Sequence, residues 1–161
     1  MHANTLYFKS IITKIVRFSK IEPFVFFLLI FSYTTSFSQI KLISWNVENL
    51  GQSKSTAEIK FMAETLKSYD VVALQEVVAG FGGTQAVAKL ADELNRTGSK
   101  WDYVVSDPTS SSAYKIERYA FLWKTSAVKK IGKAWLEKTY TLEIDREPFY
   151  ATFDHKGKVF T

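Results

Sequence analysis

The chain contains no cysteine and only two histidines, His2 and His155. Without cysteine, neither a disulfide framework nor a thiolate metal site can form. Proline and glycine are sparse, at three and seven, and no stretch of them reads as a low-complexity linker. No segment repeats. The longest apolar run, Phe24–Phe31, ends at Ser32, well short of the ~20 residues that span a bilayer. A large charge of one sign is also missing. The net charge is +5, and residues 1–38 hold four Lys/Arg against Glu22. The remainder is therefore only weakly basic, which neither demands nor excludes a nucleic-acid partner. What is present is apolar and aromatic, at 47% and 16% of 161 residues. That suffices for one core, argues against disorder and allows one ordinary domain.

The first 38 residues differ in kind from the rest. Lys9, Lys14, Arg17 and Lys20 precede the apolar block, and small residues Ser36 and Ser38 follow it. This order reads as a secretory signal peptide over 1–38, cut after Ser38. The expected location is then secreted or periplasmic, with residues 39–161 as the mature domain and no stable membrane partner. An uncleaved membrane anchor is the alternative reading.

Downstream, "IKLISWNV" (Ile40–Val47) alternates as a strand, and "ENLGQSKS" reads as a loop. A helix is expected over Ser55–Tyr69, capped by Ser55 or Thr56, with Glu58 in its first turn. Ile59, Met62, Ala63 and Leu66 share one helical face. "DVVALQE" (70–76) is continuously apolar, as in a strand buried on both faces. Strand, helix and strand of these lengths make a crossover unit within one sheet. "GFGGT" reads as a loop, then Thr84–Gly98 as a helix stopped by Gly98. "WDYVVSD" and "RYAFLWK" read as strands, the second with Tyr119, Phe121 and Trp123 on one face. "AVKKIGKAWLEK" reads as a strand pair. "REPFYATFDHKGKVFT" reads as a hairpin turning at "DHKG". The chain stops in mid-strand at Thr161, so a truncated domain is expected.

One position stands out in this pattern. Glu76 closes the apolar run of the second strand, where a carboxylate is either a solvated strand end or a group placed to hold something. Asn46 ends the first strand, where a turn-forming asparagine is the commonest use of that residue type.

The strings "ISWNVENLG", "DVVALQEV", "ERYAFLW" and "REPFYATF" occur in that order, with gaps to match. Together they resemble the endonuclease/exonuclease/phosphatase family, in particular its secreted deoxyribonuclease I type, over Ile40–Thr161. The resemblance implies an α+β fold: half of a two-sheet sandwich flanked by helices, deoxyribonuclease I-like and truncated. It also implies hydrolysis of phosphoesters with a divalent metal, Mg²⁺ or else Ca²⁺ or Mn²⁺.

The resemblance makes Glu76 a catalytic residue and metal ligand, since a hard cation at a phosphoryl group wants carboxylate oxygens. Asn46 falls to the metal and phosphate site. Glu117, of "ERY", would orient a catalytic histidine further along, fixing its tautomer; otherwise it is an exposed charge at a strand start. Arg146, of "REP", would contact phosphate through its planar fork; otherwise it pairs with Asp145 or Glu147. Tyr114 would pack against a minor-groove sugar, although Ile116 is an extra residue in that loop. Glu48 matches no catalytic position.

Two departures qualify the resemblance. Where the deoxyribonuclease pattern carries an arginine after "QEV", Val78 stands, so that contact with DNA is lost. The later "GDxN" and "SDH" segments do not occur, and His155 lies in the hairpin turn. The expected function is an exported metal-dependent endonuclease acting on nucleic acid, in particular DNA, with this chain an inactive fragment. The alternatives are a phosphatase or sphingomyelinase of the same family, or a degenerate, membrane-anchored module without catalysis.

Overall fold

The structure, a computed structural model, describes residues 39–110 and 115–161. The expected signal segment and Tyr114 lie outside the described residues. Gln39–Thr161 form one unit, and its elements alternate first and then turn all-β.

Strand β1 (Leu42–Leu50) leads through helix α1 (Thr56–Leu66) to strand β2 (Val71–Val78). The two strands run parallel with Leu42 opposite Val71 and Asn46 opposite Gln75. The crossover unit is therefore formed. Its helix starts where the sequence places the stop signal for the loop. Ser55 Oγ accepts from the Glu58 N–H at 3.2 Å, and Glu58 Oε2 accepts from the Ser55 N–H at 2.7 Å, a reciprocal cap. Ile59, Met62, Ala63 and Leu66 are the buried face, as their spacing predicts.

Helix α2 covers Phe81–Asn95, three residues earlier at both ends than the sequence pattern predicts. The "GFGG" stretch is thus the entry to the helix rather than a free loop. The cause is tertiary: a Cβ on Gly83 would lie 1.9 Å from the Val78 carbonyl oxygen. Glycine here permits the helix to begin against the end of β2. At the other end, Asn95 Oδ1 accepts from the Trp101 N–H at 2.9 Å, tying the helix exit to the next strand.

Strands β3 (Trp101–Val105) and β4 (Glu117–Lys124) complete a four-stranded sheet in the order β1-β2-β4-β3. Strands β5 (Lys129–Leu136), β6 (Phe149–His155) and β7 (Lys158–Phe160) form a second, antiparallel sheet. β5 is one strand, not the expected pair. Its register against β6 shifts between Ile131 and Trp135, where Gly132 takes φ 61°. That glycine mimics a turn signal in the sequence but makes a bulge. The β6–β7 turn is the expected one, with Lys156 and Gly157 both at positive φ (51° and 82°), as a tight hairpin of the primed type requires. Arg146 and Glu147 precede β6 rather than belonging to it.

The central strands of the first sheet, β2 and β4, are covered on both faces. Val72, Leu74, Ala120 and Leu122 meet the two helices in one core. Val71, Phe121 and Trp123 turn the other way, onto Ala151, Phe153 and Phe160 of the second sheet. The Phe153 ring, 2% exposed, packs edge-on to Trp123 at 5.5 Å and to Phe121 at 5.9 Å. Each such pair adds about 0.5–1.5 kcal/mol to the burial itself. The two packed sheets with helices on one side are the sandwich expected from the sequence.

Candidate active site

The ends of β1, β2 and β4 carry the irregular backbone of the molecule. β2 breaks register against β4 between Leu74 and Val77, and β1 breaks register against β2 between Asn46 and Leu50. Glu76 sits in the first break at φ 58°, and Glu48 and Asn49 sit in the second at 44° and 61°. A side chain other than glycine in this region costs on the order of 1–3 kcal/mol and persists only where the surroundings impose it. Glu76 is therefore not a strand end fraying into solvent. The bulge turns its carboxylate out of the alternating pattern of β2 and into a cleft.

The opposite wall comes from β4. Glu117, only 8% exposed, starts that strand and is fixed by a reciprocal pair with Thr109. The Glu117 N–H donates to Thr109 Oγ1 at 3.1 Å, and the Thr109 N–H donates to the Glu117 carbonyl at 2.9 Å. Arg146 closes the cleft. Its Nη1 donates to Glu117 Oε2 at 2.8 Å and lies 3.9 Å from Glu76 Oε1. The paired Glu117 carboxylate holds the guanidinium above its usual range. Neither Asp145 nor Glu147 is its partner: Lys115 takes Asp145 at 2.7 Å, and Glu147 turns inward. The cleft has a volume of about 160 Å³ and is lined by Asn49, Glu76, Val78, Lys115, Glu117 and Arg146.

Three of the five residues singled out by the sequence thus meet: Glu76, Glu117 and Arg146. Asn46 stands beside Gln75 across the β1–β2 pair, but its side chain faces elsewhere. Its Oδ1 accepts from the Glu48 N–H at 3.0 Å and it lines a neighbouring cleft with Trp45, Lys54 and Phe61. Asn49 occupies the cleft instead. The signal for it was available, because asparagine tolerates the left-handed region better than most residues. Val78 packs on Gly51, where a Cβ would come within 2.7 Å of its side chain. No described histidine reaches the cleft. His155 is on β6, and its Nδ1 is within 2.7 Å of the Ala127 carbonyl, past the far end of β4.

Two further ionisable groups back the cleft. Burial, then the Glu117 charge, pushes the Tyr119 hydroxyl up to about 12, so it stays protonated. Glu147 is 1% exposed and accepts from the Ser110 N–H at 2.8 Å. Burial pushes its carboxyl up, but the hydrogen bonds from Ser110 and its own N–H, with the charge of Lys138, outweigh that and hold it below the usual carboxylate range.

A carboxylate with no hydrogen bond suits a hard cation. Among the described residues the Glu76 carboxylate makes no hydrogen bond, and its one charged partner is Arg146 at 3.9 Å. No group of three or more acidic or histidine side chains able to hold a metal occurs among the described residues.

A deoxyribonuclease from Thioalkalivibrio sp. (strain K90mix) is 32% identical over 138 residues, covering 83% of this chain. The chain spans 36% of that curated relative's length. A solved endonuclease/exonuclease/phosphatase family protein from Leptotrichia buccalis superposes with a TM-score of 0.50 at 19% identity, over 75% of this chain and 51% of that one. The chain carries the endonuclease/exonuclease/phosphatase fold. A humanized D. rerio TDP2 with 14 mutations is also similar, at 23% identity and a TM-score of 0.46 over 74% of this chain and 46% of that one. No family model matches the chain. The family resemblance read from the four ordered strings is borne out, as is the two-sheet architecture with its helices.

Proposed function

We propose that this chain supplies the acidic and phosphate-holding wall of a metal-dependent phosphodiesterase acting on nucleic acid, an endonuclease of the deoxyribonuclease I type. The observation that carries the reading is Glu76, a carboxylate without a hydrogen bond, held at φ 58° and facing Arg146 across a cleft. The name of the Thioalkalivibrio relative supports DNA as the substrate.

Glu76 would hold the divalent ion, joined by Asn49, or by Asn46 once the Asn46–Glu48 turn opens. Mg²⁺ suits this donor set better than Ca²⁺, because Mg²⁺ keeps several waters and needs only one or two carboxylates besides phosphate, whereas Ca²⁺ takes about 6–8 oxygen ligands. Bound there, the ion would neutralise charge at the phosphoryl oxygens. Arg146 contributes a planar fork that reaches a second phosphate oxygen. Glu117 holds Arg146 in that position by accepting a hydrogen bond from its Nη1. Tyr114 would extend the contact to a sugar.

In the hydrolysis a water oxygen bonds to phosphorus and gives up a proton, the bond to the leaving oxygen breaks, and that oxygen takes up a proton. Proton transfer of this kind is worth about 10²–10⁴ in rate. No histidine reaches the cleft among the described residues. The 161 residues by themselves are therefore proposed to bind without appreciable turnover. Residues 1–38 are proposed to direct export, leaving no stable membrane partner. Among the described residues no helix is long and apolar enough to cross a membrane.

A second reading has one observation behind it. Val78 is packed on Gly51, so the position after "QEV" offers no cation to a minor groove. A smaller phosphoester substrate, as for a phosphatase or sphingomyelinase, needs none.

The test is fluorescence anisotropy of a labelled oligonucleotide with this chain in MgCl₂. Binding should weaken about tenfold on adding EDTA, on Glu76→Gln and on Arg146→Met, the scale expected when a charged contact of about 1.4 kcal/mol is lost. Affinity indifferent to all three would reject the reading.

A further inference from the structure

Arg118 follows Glu117 on β4 and pairs with Val77 across the bulge that holds Glu76. Its guanidinium does not enter the cleft. Nε donates to the Ala79 carbonyl at 2.7 Å, and Nη1 donates to the Ser106 carbonyl at 2.6 Å. Ala79 lies three residues past Glu76, on the exit from β2. Ser106 is the exit from β3, is 3% exposed, and is already tied to β4, because its Oγ accepts from the Tyr119 N–H at 2.9 Å. One side chain on the central strand thus clasps the exits of both neighbouring strands.

The clasp completes a set of three restraints on a short segment. Gly51, just past β1, and Gly83, in the first turn of α2, approach Val78 so closely that a Cβ on either would clash, at 2.7 Å from its side chain and 1.9 Å from its carbonyl oxygen. Those two close approaches limit the segment sterically. Apart from the ladders that pair Val77 with Leu50 and Arg118 and Val78 with Glu117, it is the Arg118 side chain that pulls, through two hydrogen bonds that a charged donor makes stronger than neutral ones. A left-handed glutamate survives only where its surroundings over-determine it. Of the three restraints, the clasp is the one that side-chain substitution can remove without altering a glycine.

We propose that Arg118 is a positioning residue: by holding the Ala79 and Ser106 carbonyls it keeps Glu76 in its left-handed bulge and so presents the Glu76 carboxylate to a divalent cation. The metal clause rests on the proposed function; the backbone clause does not. Arg118 touches neither substrate nor ion and acts through the backbone of β2. Lysine cannot replace it, because one ammonium does not span two carbonyls in a fixed fork.

The experiment compares the full chain with Arg118→Met, Arg118→Lys and Val128→Ala. Val128 is buried beyond the opposite end of β4, so its truncation lowers stability without touching the clasp. Two quantities are read on each folded variant. The first is the Glu76 amide-to-alpha proton coupling by NMR, which reports φ with no metal present. The second is Mn²⁺ affinity by electron paramagnetic resonance. In Arg118→Met the Glu76 coupling should move toward the extended-strand value. Mn²⁺ binding should weaken about tenfold, at the low end of what loss of an outer-shell partner does to metal sites. Arg118→Lys should fall between, and Val128→Ala should match the parent in both. If the parent binds no Mn²⁺ at Glu76 but the coupling still moves, the clasp stands and the proposed function falls. If the coupling and affinity of Arg118→Met match those of Val128→Ala, the clasp is refuted. Should Arg118→Met not fold, Arg118→Lys decides by the same two readings.

Discussion

Arg146→Met removes the cation that Glu117 faces and leaves an almost fully covered carboxylate. The magnitude follows from the geometry. The pair closes at 2.8 Å, with side-chain exposures of 40% for Arg146 and 10% for Glu117. Deleting one partner of a fully buried pair costs about 3–5 kcal/mol, whereas exposed pairs are worth about 0–1 kcal/mol. Arg146 is screened on one side and Glu117 on neither, so about 1–2 kcal/mol is expected. Urea denaturation at pH 7, followed by circular dichroism, measures it. The sharper reading is a double-mutant cycle with Glu117→Gln. The double variant should be less destabilised than the sum of the singles, by about 1 kcal/mol. The same cycle with Glu76→Gln should couple by no more than about half that, because Glu76 lies at 3.9 Å and is 29% exposed. Equal coupling to both acids, or additivity with Glu117 within about 0.3 kcal/mol, would refute the assignment of Glu117 as the group that holds Arg146.

Other substitutions report on the scaffold. Ser55→Ala should cost about 1 kcal/mol by uncapping α1, read by thermal denaturation. The Glu58 half of that cap has a sign in pH. The backbone N–H and hydroxyl of Ser55 lower its carboxyl from 4.5, so its contribution is complete above that value and is lost as pH falls through the lowered one; a cap that strengthened on acidification would contradict this. Gly83→Ala should destabilise by about 1–3 kcal/mol or more, since the new methyl would meet the Val78 oxygen at 1.9 Å; a neutral effect in the same assay would show that α2 can begin elsewhere. Phe153→Ala should cost about 3–5 kcal/mol by emptying the space between the sheets.

Most of the scaffold was legible because its periodicities are unambiguous. The α1 face, the parallel β1–β2 unit and the primed turn at Lys156–Gly157 follow from spacing and turn chemistry. Illegible features depended on contacts distant in sequence. Helix α2 begins in "GFGG" only because Gly83 must pass the Val78 carbonyl. Gly132 looks like a turn, and becomes a bulge because β6 supplies a continuous partner on either side.

The site divides the same way. Glu76, Glu117 and Arg146 were marked by the strings they occupy, but that Arg146 would face Glu117 rather than an adjacent acid depends on how β4 meets the segment before β6. The left-handed backbone of Glu76 has no signal in "ALQEVV", which reads as plain strand. The Asn46 side chain folds back on Glu48, the usual fate of an asparagine at a turn, and Asn49 takes the place on the cleft. Arg118 sits in plain view within "ERY" but shows its role only when Ala79 and Ser106 are brought to it.

The central claim is that a carboxylate set into a strand bulge takes a divalent cation, and paramagnetic NMR tests it most directly. Mn²⁺ titrated into the ¹⁵N-labelled chain should broaden the amides of Gln75, Glu76 and Val77 first, with Asn49 and Arg146 following, and Glu76→Gln should abolish the effect. Broadening centred on another part of the chain, or unchanged by Glu76→Gln, would contradict the account.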